Sequence, residues 1–227
     1  MGSYWKNKNL QKKWIPLKKG LRLKSRQKSV LIGSLLGDGT LRLGKKALNV
    51  NLKIEQGLRQ KEYLWWKYQI LKEWVFTEPK LSCRYKENRE SYLKSWWFRT
   101  IRHPILTKYW KEFYKDGKKV VPNLISKYLD RLALAVWIMD DGSYNRKLID
   151  ISTYSFCLED IKKLQEALYT NFGLSSKVYR DRNKGYRLYF SVSETSKLIR
   201  IIQPLVITPM LYKVGFPINP VTTDVST

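Results

Sequence analysis

Residues 31–39, LIGSLLGDG, and 134–142, LAVWIMDDG, decide how this chain folds. Both are short apolar segments ending in Asp-Gly, and each half of the chain carries one. Neither has the polar face that a surface helix needs, so the natural way to bury both is to pack them against each other. Packing them brings Asp38 and Asp141 together at the C-terminal ends of two helices.

The surrounding composition names a partner of opposite charge. Lys and Arg number 44 against 19 acids, a net charge of +25, and a surface this basic repels itself unless a polyanion neutralises it. The excess is spread along the chain and interleaved with 9 Trp and 15 Tyr, the mixture that grips phosphates and bases together. The longest apolar run, near 132–139, falls short of the roughly 18 residues needed to cross a bilayer, so no membrane role is expected. No charged, apolar, small-residue signal pattern opens the chain. Cys83 and Cys157 belong to no CxxC or Cys/His pattern, and buried, inert thiols in a reducing compartment are the expectation.

Around the two motifs the same order of elements occurs twice. A basic lead-in, residues 1–28, carries Lys12, Lys13, Lys18, Lys19, Arg22, Lys24, Arg26 and Lys28. In the first half, residues 29–125, Asn49, Asn51, Lys53 and Glu55 alternate with Val50, Leu52 and Ile54, the period of a strand with one buried face. Residues 60–74 follow as a helix with Tyr63, Leu64, Trp66, Ile70, Leu71 and Trp74 on its apolar side, then a hairpin over 81–85 and 92–99. The second half, residues 126–227, repeats this with an alternating strand at 148–154, a helix over 158–172 ended by Gly173, and a hairpin over 177–182 and 186–192. The fold class is therefore α+β, two pseudo-symmetric αββαββα halves with the motif helices at their interface. A twofold protein suits a near-palindromic duplex, and strands bearing Arg, Lys, Asn or Gln can read base edges in a major groove.

The residue inventory narrows the chemistry. A lone His103, beside Pro104, cannot furnish a histidine-metal site or a triad and reads as a loop or helix-start residue. No Gly-rich phosphate cradle is present. Two carboxylates at two helix C-termini concentrate negative charge, and hard oxygen ligands without imidazole or thiolate select Mg²⁺, Mn²⁺ or Ca²⁺. Such ions activate water and neutralise a leaving oxygen.

LIGSLLGDG and LAVWIMDDG resemble the LAGLIDADG motif of homing endonucleases, in the single-chain, two-motif form similar to yeast mitochondrial intron endonucleases. The resemblance runs over roughly residues 30–215, because the elements between the motifs follow the family order. It implies a monomer whose two antiparallel sheets form a DNA-binding saddle. It further implies a site-specific endonuclease that cuts both strands of a long asymmetric duplex site across the minor groove, leaving short 3′ overhangs, in the service of intron mobility. Asp38 and Asp141 are then the catalytic metal ligands, the main-chain carbonyls of Gly37 and Asp140 also face metal, and Lys119 and Lys213 stand near the scissile phosphates. The Asp140 side chain is expected to cap a turn rather than ligate metal. The implied cofactor is Mg²⁺, with Mn²⁺ as substitute and Ca²⁺ supporting binding without cleavage. The implied compartment is a mitochondrion or chloroplast, where synthesis inside the organelle would need no transit peptide.

The second motif departs from the pattern, with Val136 and Trp137 where the first has the small Gly33, so asymmetric packing and unequal cutting rates are expected. The residues expected to face DNA are Arg42, Lys45, Lys46, Asn49, Asn51 and Lys53 in the first hairpin and Arg84, Lys86 and Arg89 in the second. Their counterparts are Tyr144, Arg146, Lys147, Asp150, Ser152 and Tyr154, then Lys177, Tyr179, Arg180, Arg182, Lys184, Arg187 and Tyr189. Lys53, Glu55 and Thr153 are further candidates for ordering solvent. The chief rival is an intron maturase that binds RNA and assists splicing; a PD-(D/E)xK nuclease and a non-catalytic DNA-binding regulator are weaker alternatives.

Overall fold

The two motif segments form helices α1 (Ser25–Leu36) and α5 (Arg131–Asp141), which pack side by side at the centre of the molecule. The computed structural model describes residues 20–45, 47–86, 91–182 and 184–216; Lys12, Lys13, Lys18, Lys19, Lys46 and Arg89 lie outside the described residues. Val30, Leu31, Ile32 and Leu35 of α1 and the whole run from Ala133 to Met139 of α5 are fully buried, as expected of helices apolar on every side. Close approach depends on Gly33. A Cβ there would stand 2.6 Å from Val136 Cβ and also strike the Ala133 carbonyl, so the bulkier second motif seats its valine on the glycine of the first.

Both motif helices start at residues whose hydrogen bonds close the first turn. The Lys24 N–H donates to Gln27 Oε1 (3.0 Å) at the head of α1, placing residues 25–28 in the motif helix rather than in the basic lead-in. Asp130 caps α5 by accepting from the Ala133 N–H (2.8 Å), and its other oxygen accepts the Ser29 hydroxyl from α1, tying the two helices together.

Strands β1 (Thr40–Leu43) and β2 (Val50–Gly57) follow α1, then α2 (Lys61–Leu71), β3 (Lys80–Lys86), β4 (Ser91–Arg99) and α3 (Pro104–Phe113). A two-stranded ribbon, β5 (Tyr114–Lys115) with β6 (Lys118–Lys119), and the short α4 (Ile125–Tyr128) lead to α5. The second half continues with β7 (Gly142–Asn145), β8 (Leu148–Ser152), α6 (Leu158–Phe172), β9 (Lys177–Asp181), β10 (Gly185–Phe190) and α7 (Val192–Ile202), closing in 3-10 turns over Thr208–Val214. Both four-stranded sheets are antiparallel and share one order, β1-β2-β4-β3 and β7-β8-β10-β9. The αββαββα repeat is therefore present twice.

His103 is the N-cap of α3, its Nδ1 accepting from the Ile105 N–H (3.1 Å) with Pro104 at the first turn. Gly173 ends α6 in the left-handed region (φ 63°), the cap that glycine adopts without strain. Between β7 and β8, Arg146 (φ 48°) and Lys147 (φ 66°) are both left-handed, as a tight two-residue hairpin demands. The cysteines depart from expectation: Cys83 and Cys157 are both exposed. Cys83 lies on the edge strand β3, and Cys157 precedes the first turn of α6. No helix among the described residues is long and apolar enough to cross a membrane.

Candidate active site and nucleic-acid interface

At the C-terminal ends of α1 and α5 the chain turns sharply into β1 and β7, and the turns present matching arrangements. Lys119, from β6, donates to the carbonyls of Gly37 (2.8 Å) and Gly39 (3.0 Å), on either side of Asp38. Lys213, from the closing 3-10 turns, donates to the carbonyls of Asp140 (3.3 Å) and Gly142 (2.7 Å), on either side of Asp141. Each half thus supplies one aspartate and one lysine, held to the main chain around that aspartate.

The carboxylates feel both burial and one another. Burial, then the charges of Asp38 and Asp140, push Asp141 up to about 8, with Lys119 and Lys213 pulling the other way. The dense protein around Asp38, then Asp140, raise it to about 6, although part of its side chain opens to solvent; Lys67, Gln56 and Lys119 oppose the rise. Burial lowers the pKa of Lys119 and of Lys213, and the neighbouring carboxylates oppose it.

Asp140 is not a simple turn cap. Its side chain is fully enclosed and ion-paired with Lys67 of α2, whose Nζ lies 2.7 and 2.8 Å from the two carboxylate oxygens. It also accepts from the Asp38 N–H (3.3 Å) across the interface, so it closes the turn of the opposite motif. Gln56 donates to both Asp38 Oδ2 (3.1 Å) and Asp140 Oδ1 (3.0 Å). Tyr63 donates to the Val136 carbonyl of α5 (3.1 Å). Gln56, Tyr63 and Lys67 were not among the expected site residues. The signals were present: Lys67 interrupts the apolar face of its helix at the spacing of Tyr63, Leu64 and Leu71, and Gln56 shares the buried side of β2 with Leu52 and Ile54.

Above this centre the first sheet offers a basic groove lined by Arg42, Asn51, Lys53, Arg84, Trp97 and Arg99, among others. Strand register explains it, because Arg42 faces Asn51 and Lys53 faces Arg99 on the side opposite the buried Leu41, Leu52, Ile54 and Phe98. Glu55 sits in this face under Lys53, Ser95 and Arg84, and these partners hold its carboxyl down at about 2 against the cost of burial. Lys45 and Arg146 with Lys147 occupy the hairpin turns, and Arg182 and Lys184 flank the turn between β9 and β10. Lys86 belongs to β3.

The second sheet places Asp150, Ser152, Lys177, Tyr179, Arg187 and Tyr189 on the corresponding face. Several expected readers there are already engaged with each other. Arg187 pairs with Asp150 and donates to Ser152 Oγ (3.0 Å) and the Tyr154 hydroxyl (2.7 Å), while Tyr154 donates to Asp181 (2.8 Å). Other expectations are corrected by register and packing. Tyr144 stands opposite the buried Ile149, its ring against Gly215, so it lies on the core side of the sheet. Arg180 pairs with Tyr186 on the face that carries Val178 and Leu188. Asn49 precedes β2 and accepts from the Thr107 hydroxyl (3.0 Å). Thr153 is fully buried and spends its hydroxyl on the Tyr186 carbonyl (2.7 Å), which leaves nothing to order solvent.

The chain is 30% identical over 190 residues to the cytochrome b mRNA maturase bI2 of Debaryomyces hansenii, covering 82% of this chain and 72% of the relative. It is 29% identical over 211 residues to the DNA endonuclease I-ChuI of Chlamydomonas applanata, covering 86% and 97%. The structure is similar to that of the homing endonuclease I-WcaI bound to its DNA recognition sequence, with a TM-score of 0.84, 25% identity and 96% of each chain covered. The family model described as the LAGLIDADG DNA endonuclease family matches residues 28–198, which take in both motif helices and both sheets, and the chain belongs to that family.

Proposed function

We propose that this protein is a monomeric, site-specific DNA endonuclease that cuts both strands of a long asymmetric site across the minor groove, leaving short 3′ overhangs. The observation that carries this is the convergence of Asp38 and Asp141 at the ends of paired helices, each flanked by a lysine, together with a basic groove on the face of the first sheet. Arg42, Asn51, Lys53, Arg84 and Arg99 of the first sheet and Lys177, Tyr179 and Tyr189 of the second are its proposed DNA contacts.

The donor set fits a divalent cation. Asp38 and Asp141, with the carbonyls of Gly37 and Asp140, are hard oxygen ligands. Both carboxyls are pushed up, so the site gains when a positive charge enters it. Among the described residues no three carboxylate, histidine or cysteine side chains cluster as a metal cage, so carbonyls and substrate phosphate would complete the shell. A divalent cation, Mg²⁺ in the proposed reaction with Mn²⁺ as substitute and Ca²⁺ as binding-only analogue, supplies an activated water and charge neutralisation there. The protein's own share is positional. Gln56 orients the Asp38 carboxylate, and Lys119 and Lys213, already stripped of much of their water, offer ammonium groups to phosphate oxygens.

Sequencing cut ends from a randomised duplex library with Mg²⁺, with Ca²⁺ and with neither tests this. Discrete sites cut only with Mg²⁺, bearing 3′ overhangs, are expected. The similarity to a named maturase favours RNA binding as the second reading, and tight binding of folded intron RNA without cleavage of any DNA would establish it instead. A mitochondrion or chloroplast is the proposed compartment, in keeping with the maturase relatives and with an intron-encoded endonuclease among the relatives.

A further inference from the structure

Lys67 occupies a position that the fold reserves for a core side chain. It shares the buried face of α2 with Tyr63, Leu64 and Leu71. Helix α6 buries Asp160, Ile161, Leu164 and Leu168 at the same spacing, so Leu164 is its counterpart in the second half. Asp140 is equally one-sided, because the matching position before Asp38 is Gly37. The Lys67–Asp140 ion pair therefore exists once, on one side of a pseudo-symmetric centre.

An ion pair taken wholly out of water costs several kcal/mol unless further hydrogen bonds complete it. Here those bonds converge on a single residue. Asp140 accepts from the Asp38 N–H and from Gln56, and Gln56 donates to the Asp38 carboxylate as well. Asp38 is thus held at its main chain and its side chain by a network anchored on Lys67. No described side chain donates a hydrogen bond to the Asp141 carboxylate. By strand register the counterpart of Gln56 is Thr153, whose hydroxyl is turned to the Tyr186 carbonyl.

We propose that the buried Lys67–Asp140 pair is a positioning device that fixes Asp38 before substrate arrives and leaves Asp141 to be organised by the substrate, so that the two DNA strands are cut in a set order, the Asp38 side first. The proposal rests on the endonuclease reading and adds to it the origin of strand order. Lys67 touches no reacting atom; it acts through Asp140 and Gln56.

The test uses the full chain carrying Lys67→Met with Asp140→Asn, a neutral pair of similar shape, and a duplex target labelled on both strands. In the wild-type protein the two nicking rates should differ on the order of tenfold, the scale on which a small misplacement of a catalytic group acts. In the double variant the leading strand should slow until the two rates are within about threefold. A merely structural role would slow both strands by one factor, and that result, or an unchanged ratio, overturns the proposal while leaving the endonuclease reading standing. Wild-type protein that nicks neither strand refutes both. A second readout needs no activity: in chelator, Lys67→Met alone should melt well below the double variant, since it strands Asp140 without its cation. Equal melting temperatures would show that the pair is not coupled and would sink the proposal.

Discussion

Replacing Asp141 with Asn should stabilise the metal-free protein while abolishing its activity. Asp141 is raised from 3.8 to about 8 by burial and by the charges of Asp38 and Asp140. Below pH 3.8 the group is protonated in both the folded and the unfolded chain, and it costs nothing. Between pH 3.8 and 8 only the unfolded chain ionises freely, so the penalty grows with pH and is constant above 8. At 1.36 kcal/mol per unit this comes to about 4 kcal/mol at pH 7. Asp141 is only half-buried, and solvent screening reduces the figure to about 2–3 kcal/mol. Lys213 keeps its two carbonyl partners in the variant, so little is lost in exchange. For a chain of this size each kcal/mol moves the melting temperature by roughly 2–4 °C, which predicts a gain of about 4–12 °C near neutral pH. Calorimetric melts in chelator at pH 5, 7 and 9 measure it. The gap between variant and wild type should widen from pH 5 to 9, and added Mg²⁺ should raise the wild type more than the variant. A variant that melts at or below the wild type at pH 9 in chelator would refute the electrostatic account of the site.

Three further outcomes are expected. Asp38→Asn combined with Asp141→Asn should leave DNA affinity within about threefold in a gel-shift assay while reducing cleavage below detection, because the sheets rather than the carboxylates grip the duplex; retained cleavage would remove both residues from the chemistry. Lys119→Met or Lys213→Met should lower kcat by about 10²-fold with little change in KM, the signature of a group that acts on charge developing in the transition state. Gly33→Ala should destabilise the fold by about 2–4 kcal/mol in urea titration, since its methyl would overlap Val136 and the Ala133 carbonyl at a helix contact with no room to relax; a loss below about 0.5 kcal/mol would mean that the helices separate easily.

The strand faces illustrate where reading along a chain stops. Period-two alternation puts Asn51 and Lys53 on one side of their strand, and the register, which sets Arg42 opposite Asn51, agrees. Tyr144 and Arg180, expected at the DNA as counterparts of first-half residues, fall on the other face, because a single-residue difference in where pairing starts sends a side chain across the sheet. Exposure of the cysteines was equally hidden, since Cys83 lies between Ser82 and Arg84 on an edge strand, a position in the sheet that local sequence does not reveal.

Only the family resemblance implied the approach of Lys119 and Lys213; the residues by themselves determined the doubled architecture and the meeting of Asp38 with Asp141. Those features follow from apolar helices that have nowhere to hide but against each other, and from elements repeated in one order. Tertiary structure alone decided that Asp140 is spent on Lys67, that Gln56 bridges two carboxylates from different halves, and that Arg187 is tied to Asp150, Ser152 and Tyr154. Each of these joins residues far apart along the chain through hydrogen bonds only a few ångströms long. Periodicity states which side of a helix or strand is buried; it carries no record of which distant partner waits there.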